Sequence, residues 1–356
     1  MMLPNASDYV ERGDDRDIEG DYDGAIADYT QAINLEPGNA YWHTLRADVL
    51  QVSGDYDTAL ADYVEALRID PAEGSAFYGR ASLYEKRGDY ELAIDDYTTL
   101  ILLLPTATLP YKYRAELRYA QNDLDGAFAD FTEAIRINAD NYDSYNNRAI
   151  IRQAQGDIPG ALADLVEAMR LNPNEPSIYS NRGMAYHELE DYERAIVDYT
   201  EAIRLDPDYI NAYNNRGNAR RDQKDYTGAL ADLTEAIRLD PDKATMYRNR
   251  ALVRDDLKDY AGAIADLTEA LRLKPDSAIF YYNRGVVRNK QSDYENAIVD
   301  FTEAMRLDPS DPDSYRERGT ARSAQGDEDG AISDFAEVER LTQKPPYNKN
   351  NPNLGS

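Results

Sequence analysis

Residues 177–207 read SIYSNRGMAYHELEDYERAIVDYTEAIRLDP, and this stretch decides the fold. Tyr179, Arg182, Gly183 and Tyr186 fall at three- and four-residue steps, the spacing of one helix face, while His187 to Glu190 carry no apolar periodicity. A first helix is predicted to end there. Asp191 then precedes Tyr192, Ala195, Ile196, Tyr199, Ala202 and Ile203, which form a single apolar stripe that Pro207 stops. That pattern predicts a second, antiparallel helix. A pair this short cannot bury its own apolar faces, so it must stack on neighbours like itself.

The neighbours are in the sequence. The slot of Tyr192 recurs at Tyr22, Tyr56, Tyr90, Leu124, Ile158, Tyr226, Tyr260, Tyr294 and Glu328, 34 residues apart with no insertion or deletion. A fixed period of this length marks a stacked array. An Asp precedes every one of these positions, from Asp21 to Asp327, where its carboxylate can accept from the free amides of a helix start and complement the positive helix end. Small residues recur where two helices must approach closely: Gly13, Ala47, Gly183 and Gly285 on first helices, and Ala25, Ala59 and Ala195 through Ala331 on second helices.

In its order of slots, Tyr179, Gly183, Ala195, Tyr199, Ala202 and Pro207, the unit resembles the tetratricopeptide repeat family. The resemblance covers about Ala6 to Leu341. It implies an all-α fold, an α-solenoid of antiparallel helix pairs forming a right-handed superhelix, and a role as a non-catalytic protein-interaction scaffold or adaptor. The expected organisation is a short tail over residues 1–5, ten repeats over 6–341 and a disordered tail over 342–356. Pro gives way to Ala139 in the fourth repeat, and the opening helix of the first is polar, as end repeats tend to be.

Two charged columns run through the array. An Arg stands ten residues before each marker, from Arg12 to Arg318, and an Asp six after it, from Asp28 to Asp334; seven repeats add a second Arg one turn on, such as Arg220 and Arg254. Arg-carboxylate pairs between neighbouring helices are the expected use, and a basic stripe for an acidic ligand is the other reading.

Removing the packing face from the first helix leaves Ser177, Ser180, Asn181, Met184, His187 and Glu188 on one side. In the family the equivalent surface is the concave groove that receives extended peptides or partner segments. Asn147, Asn181, Asn215, Asn249 and Asn283 share one slot there, with Asn146, Asn214, Asn218 and Asn289 beside them. A primary amide both donates and accepts, so such a ladder can pair with peptide backbone or simply bridge adjacent helices. Earlier repeats place Tyr41, Tyr78, Tyr113 and Tyr119 on the same side, with Leu109, while Leu102 and Leu104 replace the usual Arg and Asp. This reads either as a hydrophobic anchor pocket or as Leu100 to Leu104 filling a loosely packed repeat. The carboxylate clamp that some family members use has no complete match, since Ile279 and Asn283 stand where bases are required.

The formal charge of −28, from 67 acidic and 39 basic residues, opposes nucleic acid and anionic membrane surfaces and suits a neutral or basic protein partner. There is no cysteine, hence no disulfide and no thiolate metal site. His43 and His187 lie in no metal or nucleophile-base spacing, and Asp15, Asp17, Glu19 and Gly20 imitate a calcium loop that Ile26 spoils at its decisive ligand. Phosphate cradles are excluded because the glycines are expected inside helices. No enzyme, cofactor or metal is expected, the location is expected to be cytoplasmic, and the alternative to an adaptor is a module that self-assembles through its solenoid ends.

Overall fold

The structure is a computed structural model and describes residues 4–342. Its described residues form twenty α-helices in consecutive pairs, which cluster into two compact units, one ending at Pro173 and the other beginning at Asn174. The first unit comprises α1 (Ala6–Glu19), α2 (Tyr22–Leu35), α3 (Ala40–Ser53), α4 (Tyr56–Ile69), α5 (Gly74–Arg87), α6 (Tyr90–Leu103), α7 (Thr108–Ala120), α8 (Leu124–Ile137), α9 (Tyr142–Ala154) and α10 (Ile158–Leu171). The second comprises α11 (Pro176–Glu188), α12 (Tyr192–Leu205), α13 (Ile210–Asp222), α14 (Tyr226–Leu239), α15 (Ala244–Asp256), α16 (Tyr260–Leu273), α17 (Ala278–Lys290), α18 (Tyr294–Leu307), α19 (Pro312–Gln325) and α20 (Glu328–Thr342). The tail expected over 342–356 lies, beyond Thr342, outside the described residues.

Every second helix begins at the predicted slot, and eight of the ten preceding Asp side chains accept from the third amide of their helix, as Asp225 does from Gly228 at 3.0 Å. Asp89 makes no such bond, and Asp293 receives the Asn296 side-chain amide instead. The turn before each cap is reversed by one left-handed residue per repeat: Gly20, Gly54, Gly88, Gly156 and Gly326, and Asn122, Glu190, Lys224, Lys258 and Ser292 in the others. The glycines expected inside helices are there at Gly13, Gly183, Gly217, Gly285 and Gly319, but the five at positive φ lie just past a helix end, where glycine adopts that conformation without a Cβ clash. Asp15, Asp17 and Glu19, read as an imperfect calcium loop, are instead helical residues of α1.

The core is a column of Ala between helices and of large rings beside it. Ala59, Ala127, Ala195 and Ala263 have no exposed surface, and Tyr63, Phe131, Tyr199, Leu233 and Phe301 fill the next layer at 2 % exposure or less. Burying each of these large side chains contributes about 1.5–3 kcal/mol. Where the first helix carries Gly, the large side chain of this layer lies directly over it: a Cβ on Gly183 would stand 2.6 Å from Tyr199 Cε1, one on Gly285 2.7 Å from Phe301 Cε1, and one on Gly217 2.8 Å from Leu233 Cγ.

The charged columns are internal ties. In all ten repeats the Arg forks onto the Asp sixteen residues on, with Nε to Oδ2 at 2.7–3.0 Å and Nη2 donating to Oδ1. The second Arg adds Nη1 to the same Asp at 2.6–3.4 Å in seven repeats. These pairs join the two helices of one repeat. Stacking register comes from a contact the periodicity reading left out: Nη1 of the first Arg donates to a Thr hydroxyl on the preceding repeat, at Thr30, Thr98, Thr132, Thr200, Thr234, Thr268 and Thr302, over 2.9–3.3 Å. Seven of the ten guanidinium groups thus tie three helices, and none of these Asp carboxylates is left for a ligand. Asp28, which accepts from Arg12 and Arg16, is pulled below its ordinary pKa by the Arg12 bond; Asp96, which has Arg80 alone, is pushed up by burial.

Candidate functional site

The side chains left over by this packing lie on the first helices, and each unit presents its own set. In the first unit, Ala47 and Ala81 stand where other repeats carry Gly, and the rings of Tyr63 and Tyr97 lie toward the following first helix. Tyr63 packs against Gly79, whose added Cβ would fall 2.4 Å from the ring, and Tyr97 stacks on Tyr113 with centroids 5.5 Å apart. Tyr78 closes the group edge-on, 6.2 Å from Tyr97 and 6.5 Å from Tyr113. The cluster borders an open recess of about 430 Å³, whose polar wall is Asp48, Gln51, Ser82 and Glu85. Tyr63 donates its hydroxyl to Asp48 at 2.6 Å.

Charge around this recess is predominantly acidic. Burial, then the Glu85 carboxylate, pushes the Tyr97 hydroxyl up, and burial beside Tyr113 pushes Tyr78 up to about 12. Glu116 is also raised, by burial and by its acidic neighbours Asp143 and Glu85 against the opposing charge of Lys112. Lys112 itself is bound to Asp143 at 2.5 Å.

Of the four aromatic residues singled out in the sequence, the structure brings together Tyr78 and Tyr113. Tyr41 borders a different recess with Glu36, Asn39, Asp70 and Glu73, and Tyr119 is exposed outside both. Leu102 is 78 % exposed and Leu103, Leu104 and Leu109 are exposed too, while Leu100 is wholly buried. The run therefore does not fill the repeat beyond Leu100, and Leu102 takes no part in the tyrosine recess. Tyr63 and Tyr97 were missed because a ring on the core stripe reads as core, and Asp48 and Glu85 because a carboxylate on a first helix reads as a solvated side chain. Their signal is the sixteen-residue step from Tyr97 to Tyr113, which carries a second-helix ring onto the next first helix.

In the second unit the amide ladder is half-buried and partly self-bonded. Asn249 donates to Asn214 across repeats at 2.8 Å, and Asn214 donates to Asn215 at 3.1 Å. The same 35-residue step joins His187 to Asp222 at 3.0 Å, Arg221 to Asp256 at 2.6 Å and Lys290 to Asp255 at 2.6 Å. Asn215 and Asn218 line a recess of about 180 Å³ with Met184, His187 and Glu188. Asn181 is half-buried, and Asn283 is buried with its Nδ2 lacking any protein partner. Beside it Arg248, in the slot of Asn214, has an unpartnered Nε, and burial together with the Arg221 charge lowers its pKa. The first unit holds the remaining ladder members: Asn147 donates to Asp143 on its own helix at 3.3 Å, and Asn146 is buried. Bridging therefore accounts for Asn214 and Asn249, Asn147 is held within its own helix, Asn215 and Asn218 line the recess, and Asn283 keeps an unpartnered amide.

The family model described as "Tetratricopeptide repeat" matches residues 44–107, 214–278, 251–312 and 282–347, more than half of the chain, and the "TPR repeat" model matches 151–190 and 183–220. The chain belongs to the tetratricopeptide repeat family. Among solved structures, a tetratricopeptide repeat protein from Parabacteroides merdae is similar at 22 % identity, over 70 % of this chain and 98 % of its own, with a TM-score of 0.56. Pseudomonas aeruginosa pilF is similar at 21 % identity, over 56 % of this chain and 91 % of its own, with a TM-score of 0.51. At these identities the likeness shows a shared α-solenoid fold. No curated protein matches the chain.

Proposed function

We propose that this tetratricopeptide repeat protein is a non-catalytic scaffold that holds an extended peptide segment, neutral or basic in charge, along the faces of its first helices. The observation that carries the reading is the set of buried polar atoms that the second unit leaves without protein partners: Asn283 Nδ2, Arg248 Nε, Asn289 Oδ1 and Asp255 Oδ1. A buried polar atom left unpaired costs about 1–3 kcal/mol, so their clustering on α15 and α17 favours a surface whose bonds a bound segment completes. Amides suit the peptide backbone because they donate and accept regardless of the partner's side chains. No helix among the described residues is long and apolar enough to cross a membrane.

The test is affinity capture by the intact chain and by a variant carrying Ala at Asn147, Asn181, Asn215, Asn249 and Asn283, each shown by circular dichroism to be equally helical. Partners retained by the intact chain alone uphold the ladder; equal retention by both removes it. A second reading, end-to-end self-assembly, has its own observation. The core slot of Phe301 is buried in the nine earlier repeats, whereas its last member, Phe335, is 41 % exposed on α20 beside the exposed Ile332. Light scattering over a range of concentrations separates an assembling chain from a monomeric scaffold.

A further inference from the structure

We propose that the recess walled by Tyr78, Tyr97 and Tyr113 in the first unit is a subsite for a cation, and that it seats an arginine or lysine side chain of the bound segment. The inference rests on the scaffold reading and names the chemistry of one position in the partner. Three rings meet there within 6.5 Å of one another, centroid to centroid. Aromatic faces carry negative potential and attract a guanidinium or ammonium, the more strongly where water is partly excluded. Flanking them are the carboxylates of Asp48 and Glu85, so a cation entering the recess meets aromatic rings and charge of opposite sign.

The polar wall is bonded within the chain, Tyr63 to Asp48 and Gln51 to Ser82, but among the described residues the three rings have no basic side chain of the chain seated on them. Elsewhere its own arginines cover its rings, as Arg80 covers Phe77 at 5.5 Å and Arg216 covers Tyr213 at 5.7 Å. Among the described residues no Arg or Lys is seated over Tyr78, Tyr97 or Tyr113 in this way. The nearby basic groups are engaged: Arg80 by the Asp96 fork, Lys112 by Asp143 and Glu116, and Lys86 over the Tyr56 ring at 6.0 Å. An anionic side chain would oppose Asp48 and Glu85, and an apolar one would desolvate them without compensation. A recess of about 430 Å³ accommodates a long basic side chain with part of its backbone.

The full chain, labelled with carbon-13 in its tyrosine rings, is titrated with N-acetyl-arginine methylamide and N-acetyl-lysine methylamide, and with the neutral isostere N-acetyl-citrulline methylamide. Signals of Tyr78 and Tyr113 are identified from Tyr→Phe variants. Saturable shifts of these two signals with a cationic probe and none with citrulline are expected, the two cations showing whether the planar guanidinium is preferred. Tyr113→Phe retains the response, Tyr113→Ala loses about tenfold in affinity, and Glu85→Gln weakens it severalfold while leaving helicity unchanged. Equal shifts with citrulline, or none with either cation, overturn the subsite. In parallel, a random peptide library is selected on the intact chain. Selected peptides sharing a basic residue whose enrichment disappears on the Glu85→Gln chain support the proposal; peptides that bind without one overturn it but leave the scaffold reading standing. Shifts with arginine but no selected peptide uphold the pocket and remove the scaffold reading instead.

Discussion

Replacing Asp266 by leucine strands two guanidinium groups. The Asp266 carboxylate is buried and accepts from Arg250 Nε at 2.9 Å, from Arg250 Nη2 at 2.7 Å and from Arg254 Nη1 at 2.9 Å. Breaking a buried pair by removing one partner costs about 3–5 kcal/mol, because the surviving charge loses solvation without gaining a partner. Here the lower end applies. Arg254 keeps about a quarter of its side chain exposed and still has the Gly262 carbonyl at 3.0 Å, and Arg250 keeps Thr234. A loss of about 3 kcal/mol corresponds to roughly a hundredfold rise in local opening. Because a repeat array need not unfold in one step, the assay is hydrogen exchange read peptide by peptide rather than a single melting curve. Exchange across α15 and α16 should quicken about a hundredfold, fading with distance along the second unit. The companion variant, Arg250→Met, Arg254→Met and Asp266→Leu together, should recover much of the loss, since an apolar set of similar volume needs no charge compensation. Exchange of the single variant within threefold of the parent, or a triple variant no better than the single one, would refute the view that these columns act through burial of paired charge.

Thr234→Val removes the hydroxyl that receives Arg250 Nη1 at 3.3 Å and should cost about 0.5–1.5 kcal/mol, read as faster exchange on both sides of the α14–α15 junction. Asp225→Ala, which deletes the cap on Gly228, should cost about 1 kcal/mol in chemical denaturation of the second unit. Lys258→Gly relieves a left-handed backbone at φ 63° and should stabilise α15–α16 by up to about 1 kcal/mol; slower exchange there checks it. In alkali, the hydroxyls of Tyr63, Tyr97 and Tyr199 have folded pKa values raised chiefly by burial. The folded state then holds its protons more tightly than the unfolded one, so this stability is complete below about pH 10 and falls as pH rises beyond it. Tyrosinate absorbance of this class should therefore appear together with loss of helical circular dichroism; ionisation well before unfolding would contradict it.

The periodicity alone determined the fold, because stacking is a local rule repeated: a 34-residue step, an Asp cap, Ala at each close approach and an Arg paired with an Asp sixteen residues on. None of these depends on distant parts of the chain. The turn residues were half legible, since glycine marks a positive φ at Gly156 but nothing marks it at Glu190 or Lys224. The candidate sites lay beyond reach for a different reason. Tyr97 and Tyr199 occupy the same slot of the repeat and look identical in sequence, yet Tyr199 lies over Gly183 while Tyr97, opposite Ala81, stacks on Tyr113 and lines the recess. Asn249 and Asn283 share a slot as well, and whether the amide is bonded or left over depends on the neighbour one repeat away, Asn214 for the one and Arg248 for the other. Sequence sets which groups line a face; only packing of one repeat on the next decides which of them remain unsatisfied.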